Sequence, residues 1–398
     1  MNIEGENKMI NDFKEIIRED IPYEFNELRI IDKYKDRLQL IAKGETLPPY
    51  EILIHPTSNC NLKCAWCIGQ NIEQNNNKIK NYLGEDNNLL NLVKDIISYK
   101  KKYMVGGKEK SFAVERISFS GITGEPLVAK KKLIPALELL HENNIETGMF
   151  TNGILISKES VDTLLKMKYI LISLDAGNKE TYDFLKNQGK PTSNYEKVFQ
   201  NIELLVSRKK AIGSKTDINI GYVINEYNYD QIFLLAENLK KIGVHYLRIK
   251  MDIASKMLIN NTVKAEIEAQ YEKIKENLVD KDFDFIQLHR LNFDDKKRHF
   301  NKCAIKKLTT TISSDGFVYA CNYHPAVNGV KYNHISNLSF QDIWENANKD
   351  FDLSYCPRVC DPFKTRANNI LSRYFDEGDF RTEVDNFIKD NNYGSEKN

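Results

Sequence analysis

The order of apolar and polar positions divides most of the chain into alternating strands and helices. Short runs rich in Ile, Val, Leu and Tyr are typical of buried strands, and six of them stand at 50–56, 114–120, 146–150, 169–174, 218–223 and 246–250. Apolar residues recur at helical spacing between them, at 89–103, 131–143, 158–167, 195–210 and 230–242. Six strand–helix units predict an α/β fold with a parallel sheet, because parallel strands need long crossover connections.

The same pattern predicts four regions along the chain. Residues 1–48 form a helical N-terminal extension that ends at a Leu-Pro-Pro sequence, and residues 49–260 form the barrel-sized α/β region. Residues 261–365 hold the last four cysteines, and residues 366–398 form an amphipathic helical tail. In parallel sheets functional groups gather beyond the carboxyl ends of the strands, so the residues that follow each strand are the first candidates for a site.

Composition narrows the classes of partner and compartment. The 398 residues are 41% apolar, and 57 Lys and Arg against 56 Asp and Glu leave a formal net charge of +1. This balance gives no electrostatic argument for nucleic acid or for an acidic membrane surface. The first residues are charged throughout and no apolar run of about 20 residues occurs, so we expect a cytoplasmic protein without a membrane partner. In that compartment the seven cysteines are expected to be metal ligands or catalytic thiols rather than disulfides.

Three of the cysteines, Cys60, Cys64 and Cys67, stand within eight residues directly after the first predicted strand. Three thiolates that converge fit a [4Fe–4S] cluster in which one iron has no protein ligand and stays open to a substrate or cofactor. A structural zinc site is the alternative, although zinc sites more often use paired C-x2-C units or a mixture of Cys and His.

The spacing resembles the signature of the radical S-adenosylmethionine (SAM) superfamily, C-x3-C-x-aromatic-C, with Trp66 at the aromatic position. The resemblance implies an open (β/α)6 partial TIM barrel in which Cys60, Cys64 and Cys67 each bind one iron. It also implies that SAM chelates the fourth iron. One electron from a flavodoxin or ferredoxin then cleaves SAM to methionine and a 5′-deoxyadenosyl radical, which abstracts hydrogen from a substrate.

Further resemblances to the superfamily lie at the predicted strand ends. Gly124 and Glu125 stand in a Gly-Glu-Pro sequence similar to the family's Gly-Gly-Glu-Pro motif, with Thr123 in place of its first glycine. The resemblance implies that Gly124 lets the backbone approach SAM and that Glu125 lies near the SAM ammonium group. By the same resemblance the polar residues that follow later strands are SAM contacts: Asn152, Ser173 and Asn225, with Asp175 a weaker candidate. Each of these stretches is also compatible with a plain turn or a solvated loop.

The other four cysteines, Cys303, Cys321, Cys356 and Cys360, lie in the last quarter of the chain. Cys303 and Cys321 flank a segment that predicts a β-hairpin turned at Asp315-Gly316. This arrangement resembles the four-cysteine twitch form of the SPASM auxiliary-cluster module, which implies an auxiliary [4Fe–4S] cluster beside the active site. A four-cysteine zinc site is the alternative.

The cysteine count bears on the reaction. Three ligands of the first cluster and four of the second use all seven cysteines, so no thiol remains to return hydrogen to a substrate radical. A second cluster with a full set of protein ligands could instead accept an electron from that radical, which favours oxidation of the substrate. We therefore expect a radical SAM oxidoreductase that acts on a small metabolite or natural-product precursor, such as a sugar or aminocyclitol. Two alternatives stay open: a peptide maturase that cross-links or epimerises a ribosomal product, and a non-catalytic zinc- or other metal-binding protein. No catalytic acid or base is identified, because His55 and His324 are best interpreted as packed or surface histidines.

Overall fold

The computed structural model describes residues 28–65, 67, 79–122, 124–251, 260–288, 300–326, 329–350, 353–356 and 362–390. The strands are β1 (Glu51–Ile54), β2 (Lys100–Val105), β3 (Lys108–Ala113), β4 (Arg116–Phe119), β5 (Glu146–Thr151), β6 (Tyr169–Ser173), β7 (Asp217–Ile224), β8 (Tyr246–Met251), β9 (Asp284–Gln287), β10 (Thr309–Ile312), β11 (Phe317–Tyr319) and β12 (Lys331–His334). The α-helices are α1 (Leu28–Lys33), α2 (Lys35–Ala42), α3 (Asn88–Ser98), α4 (Lys130–Glu142), α5 (Val161–Leu164), α6 (Lys179–Asn187), α7 (Asn194–Ile212), α8 (Ile232–Ile242), α9 (Asn261–Asn277), α10 (Phe340–Glu345), α11 (Pro362–Asp376) and α12 (Gly378–Asp390).

Ten of these strands form one open sheet in the order β12-β11-β10-β1-β4-β5-β6-β7-β8-β9. All neighbours from β10 to β9 are parallel, whereas β11 and β12 add to the edge in antiparallel fashion. Within the described part of the chain, β9 and β12 end the sheet without pairing to each other. The predicted partial barrel is therefore confirmed, and its six predicted strands correspond to β1 and β4 to β8.

Two strand segments differ from the prediction. The helix predicted over 89–103 ends at Ser98, because its apolar stripe ends there and the next residues alternate between exposed and half-buried. Residues 100–113 instead form the hairpin β2–β3. Its turn contains Gly106 and Gly107, with φ of 58° and 77°, and positive φ at both central positions suits glycine and the twist of a tight hairpin. Strand β9, which pairs with β8 in parallel, was also not predicted.

Side chains alternate between two faces along the parallel strands. Ile52 and Ile54 of β1 and Phe119 of β4 are fully buried in the main apolar core, which also includes residues of the helices from α3 to α9. The opposite face carries polar groups, such as the Ser118 hydroxyl, which donates a 2.6 Å hydrogen bond to Glu51. This two-residue alternation fixes which side chains of each strand can face the barrel interior.

Helices from both ends of the chain pack together near the amino ends of the strands. Leu38 of α2 shares a second apolar core with Tyr374 of α11. The buried Arg37 guanidinium forms a 2.8 Å ion pair with Glu115, the residue that precedes β4. The amino edge of the sheet is thus covered by helices. Among the described residues, no helix is both long and apolar enough to cross a membrane.

Candidate active site

The cysteine loop, residues 57–67, begins beyond the carboxyl end of β1 and is tied to neighbouring segments on both sides. The Thr57 hydroxyl donates a 2.8 Å hydrogen bond to Asn81 Oδ1. The Asn59 carbonyl oxygen accepts a 2.8 Å hydrogen bond from the Glu125 N–H. These contacts hold the start of the loop before its first cysteine.

The three thiols of the cysteine loop lie close to one another. None is in a disulfide, and Cys60 is exposed whereas Cys64 and Cys67 are half-buried. Cys60 and Cys67 both act electrostatically on Cys64. Although much of the Cys60 residue surface is exposed, desolvation of its sulfur atom raises its pKa, and burial raises the pKa of Cys64 to about 11. The thiolate forms therefore need a positive partner, which bound iron supplies. Trp66 lies outside the described residues.

The Gly-Glu-Pro segment lies directly against the cysteine loop. A Cβ atom at Gly124 would stand 2.2 Å from the Thr57 carbonyl oxygen and 3.0 Å from the Asn59 carbonyl oxygen. Glycine is therefore needed here for the close approach of two backbone segments of the protein. The approach of Gly124 to SAM stays a prediction, and Thr123 lies outside the described residues.

Glu125 connects the segment that follows β4 to the end of β5. Its buried carboxylate accepts hydrogen bonds from the Thr151 hydroxyl at 2.5 Å and from the N–H groups of Asn152 and Leu127 at 2.8 and 3.1 Å. Burial raises the pKa of Glu125, and these hydrogen bonds oppose the rise. A carboxylate has about four lone-pair sites, so one remains for the predicted contact with the SAM ammonium group.

The other predicted SAM contacts lie at the same edge of the sheet in different surroundings. The Asn152 amide donates a 2.8 Å hydrogen bond to Asn61 Oδ1, which ties the end of β5 to the cysteine loop. Ser173 is half-buried as the last residue of β6. Asn225 is buried, and its side chain accepts a 2.9 Å hydrogen bond from the Tyr227 N–H, which is the turn role that the sequence left open.

An ion pair that no sequence motif indicates lies beside the cysteine loop. The Lys186 ammonium pairs with the Asp175 carboxylate, and the two side chains are only 5% and 4% exposed. Burial by itself would lower the pKa of Lys186, but the Asp175 carboxylate raises it above its usual range, so the lysine stays charged. The carbonyl oxygens of Lys186 and Leu185 accept hydrogen bonds from the N–H groups of Lys63 and Ala65 at 3.2 and 2.9 Å.

The second cysteine set comprises Cys303, Cys321, Cys356 and Cys360, of which Cys360 lies outside the described residues. Cys303 and Cys321 interact electrostatically with each other, and Lys306 interacts with both Cys303 and Cys356. The three described thiols are free of disulfides and half-buried. They can therefore contribute to one common centre.

The register places the two cysteine sets towards opposite ends of neighbouring strands. The predicted hairpin is confirmed, because β10 and β11 pair in antiparallel fashion on either side of Asp315-Gly316. Thr309, the first residue of β10, pairs with Glu51, the first residue of β1. Cys303 leads into this end of β10 and Cys321 follows β11 at the same end, whereas the cysteine loop follows the other end of β1. At about 3.3 Å per residue, the four paired residues of β1 and β10 span on the order of 10 Å between these two ends.

Two histidines adjoin the cysteines, and both are buried. His55 stands at the end of β1, where burial lowers its pKa to about 4, and neither ring nitrogen bonds to a residue that the structure describes. His324 Nε2 lies 3.8 Å from Cys356 Sγ.

The three thiols of the cysteine loop fit the ligand set of an iron–sulfur cluster. Across the described ranges, no group of three or more His, Cys, Asp or Glu side chains is arranged to hold one metal ion. A [4Fe–4S] cluster instead spreads its thiolate ligands over several irons, one ligand to each. The cysteine loop provides three such thiols and leaves one iron open.

The open parallel barrel and the three-cysteine loop at its carboxyl edge are the features of iron–sulfur enzymes that are built on a partial barrel. Residues 54–232 match the family described as the Radical SAM superfamily. The chain therefore carries a radical SAM domain, the kind of domain that uses a [4Fe–4S] cluster and SAM as cofactors. That its C-terminal cysteine hairpin is an auxiliary-cluster module of the twitch/SPASM type stays a prediction.

Individual relatives differ in their activities. The cysteine-type anaerobic sulfatase-maturating enzyme of Clostridium perfringens (strain 13 / Type A) is 25% identical over 335 residues, which are 77% of this chain and 83% of that protein. The S-adenosylmethionine-dependent nucleotide dehydratase of Fibrobacter sp. (strain UWH6) is 22% identical over 187 residues, 45% of this chain and 49% of that protein. The structure of Streptococcus suis SuiB bound to precursor peptide SuiA matches with a TM-score of 0.52 and 18% identity, over 85% of this chain and 74% of SuiB. This last likeness shows the fold.

Proposed function

We propose that the protein is an oxidoreductase that removes two electrons from a residue of a peptide or protein substrate. The oxidation is inferred from the pairing of β10 with β1. This pairing attaches the second cysteine set to the strand that leads into the cysteine loop. The polypeptide substrate is supported by the likeness to the sulfatase-maturating enzyme, which extends over 77% of this chain.

The two cysteine sets would hold different groups. With SAM bound, a cluster on the cysteine loop would supply a 5′-deoxyadenosyl radical able to take one hydrogen atom from the substrate. A cluster on the second cysteine set would supply an acceptor for the electron that remains. With the loss of one proton, the substrate would lose the equivalent of two hydrogen atoms in total.

The chain's own residues set the geometry for this reaction. Glu125 and Asn152 hold the ends of β4 and β5 against the cysteine loop, so they fix where SAM can bind. His55, at the end of β1, is fully buried and therefore stays neutral near pH 7.

A small metabolite is the second candidate substrate, and one observation favours it. The described part of the chain before β1 consists of the short helices α1 and α2, which pack on the C-terminal helices. Peptide-binding domains commonly capture their ligand by adding it to a sheet edge, and α1 and α2 offer none.

The test is an anaerobic assay with reconstituted enzyme, SAM, a low-potential donor such as flavodoxin or dithionite, and a panel of cysteine- and serine-containing peptides. We expect a peptide product lighter by two hydrogen atoms, with one 5′-deoxyadenosine formed for each. Cys64→Ala should abolish 5′-deoxyadenosine, whereas Cys321→Ala should lower the peptide product more than it lowers 5′-deoxyadenosine.

Two outcomes would contradict the proposal. A product at the oxidation level of the substrate, such as an epimer, would refute the oxidation. If no peptide raised 5′-deoxyadenosine formation above the background rate while a sugar or aminocyclitol did, the polypeptide substrate would be wrong and the metabolite correct.

A further inference from the structure

The cysteine loop packs against the carboxyl end of α6. Lys63 and Ala65, the neighbours of Cys64, donate their N–H groups to carbonyl oxygens in the last turn of α6. These carbonyls lack partners inside the helix, so the loop satisfies them. The carboxyl end of a helix carries partial negative charge, however, and such an end is unfavourable next to an anionic group.

The buried Lys186 ammonium offsets this negative charge. It interacts electrostatically with Cys64 and also with Glu125, so its field extends to both the cysteine loop and the Gly-Glu-Pro segment. The hydrogen bonds from Lys63 and Ala65 to Lys186 and Leu185 place this lysine directly against the segment that holds Cys64. Of the charged side chains that act on Cys64, Lys186 acts most strongly, more strongly than Asp175. In a buried site such a charge is little screened by water or salt.

Asp175 fixes where this ammonium lies. Its backbone has φ of 58°, a left-handed conformation that Asp and Asn tolerate. Its carboxylate also accepts a 2.7 Å hydrogen bond from the Val223 N–H, and its carbonyl oxygen accepts one of 2.9 Å from Asn228. The carboxylate is therefore held from β7, and the lysine is held by the carboxylate.

We propose that Lys186, held by Asp175, is a positioning residue that places a fixed positive charge beside Cys64 and thereby favours the reduced state of the SAM-binding cluster. Reduction adds one electron from the external donor and no proton, so the reduced state carries one more negative charge. A buried ammonium nearby stabilises that state more than the oxidised one. This inference needs only the radical SAM domain and not the proposed substrate.

The test is a redox titration of anaerobically reconstituted protein, followed by electron paramagnetic resonance. The signal of the relevant cluster is recognised by its change on addition of SAM, and iron content is measured for every variant. In Lys186→Met we expect the reduced-to-oxidised ratio at a fixed potential to fall at least tenfold, which is 59 mV for a one-electron couple. In Asp175→Asn, which removes the carboxylate that holds the lysine in place and keeps it charged, we expect the ratio to fall as well. Lys190→Met is the matched control, because Lys190 is an exposed lysine just beyond α6, and its ratio should not change.

Lys186→Met leaves the buried Asp175 carboxylate unpaired, so this variant can fail to fold. The double variant Lys186→Met/Asp175→Asn removes both charges and keeps the test decisive. Because Lys186 acts on Cys64 more strongly than Asp175 does, the double variant should show a severalfold lower ratio than the wild type. A ratio within twofold of wild type in the double variant, at equal iron content, would overturn the proposal. So would an equal shift in Lys190→Met.

Discussion

Replacement of Gly124 by alanine tests whether the Gly-Glu-Pro segment supports the cysteine loop. The new Cβ atom would stand 2.2 Å from the Thr57 carbonyl oxygen and 3.0 Å from that of Asn59, and both contacts are backbone atoms that no rotamer change can move.

The size of the effect follows from two contributions. Overpacking of one methyl group against fixed backbone costs about 1–3 kcal/mol. The displacement also breaks the 2.8 Å hydrogen bond from the Glu125 N–H to Asn59, worth about 1 kcal/mol. We expect Gly124→Ala to lower the free energy of unfolding by about 2–4 kcal/mol, which a domain of ordinary stability survives.

The assay has two readouts. Urea unfolding of the metal-free, reduced protein gives the stability, and iron content after reconstitution reports whether the loop still holds a cluster. Gly378→Ala is the matched control, because Gly378 begins α12 and no atom lies within 4 Å of its added Cβ. That variant should be as stable as wild type or up to about 1 kcal/mol more stable. Wild-type stability and full iron content in Gly124→Ala would refute the argument that this glycine is needed for backbone contact.

Two further substitutions test packing and proton linkage. Trp344→Phe removes the buried 2.7 Å hydrogen bond from the indole N–H to the Leu47 carbonyl oxygen, and we expect a loss of about 1–3 kcal/mol in urea unfolding; unchanged stability would show that water satisfies this carbonyl. Burial lowers the pKa of His55 to about 4, below its value of about 6.5 in the unfolded chain, so the unfolded state binds the extra proton and stability falls as pH drops from 6.5 to 4. His55→Gln should remove about 2.4 kcal/mol of that fall, measured by urea unfolding at pH 7 and pH 4.5, and an equally steep fall in the variant would contradict the burial of a neutral imidazole.

The parts that the sequence predicted correctly are those with a local signal. Apolar runs marked β1 and β4 to β8, and the spacing of Cys60, Cys64 and Cys67 indicated the cluster site within eight residues. The parts that it missed depend on contacts between distant segments. Nothing around Gly124 shows that Thr57 will lie against it, and Lys186 is one lysine among many until the fold brings it to Asp175. The prediction that helix α3 continues through Tyr103 was wrong because of a misleading local pattern. A chance helical spacing of apolar residues hid the alternation of a strand.

The position of β10 has a consequence for the integrity of the whole barrel. Since β10 occupies the free side of β1, the strand before the cysteine loop is an interior member of the sheet rather than its border. A chain cut before residue 300 would bare a row of unpaired N–H and C=O groups on β1, and such borders recruit strands from other molecules. The pairing of β10 with β1 thus also protects this strand from pairing with other molecules.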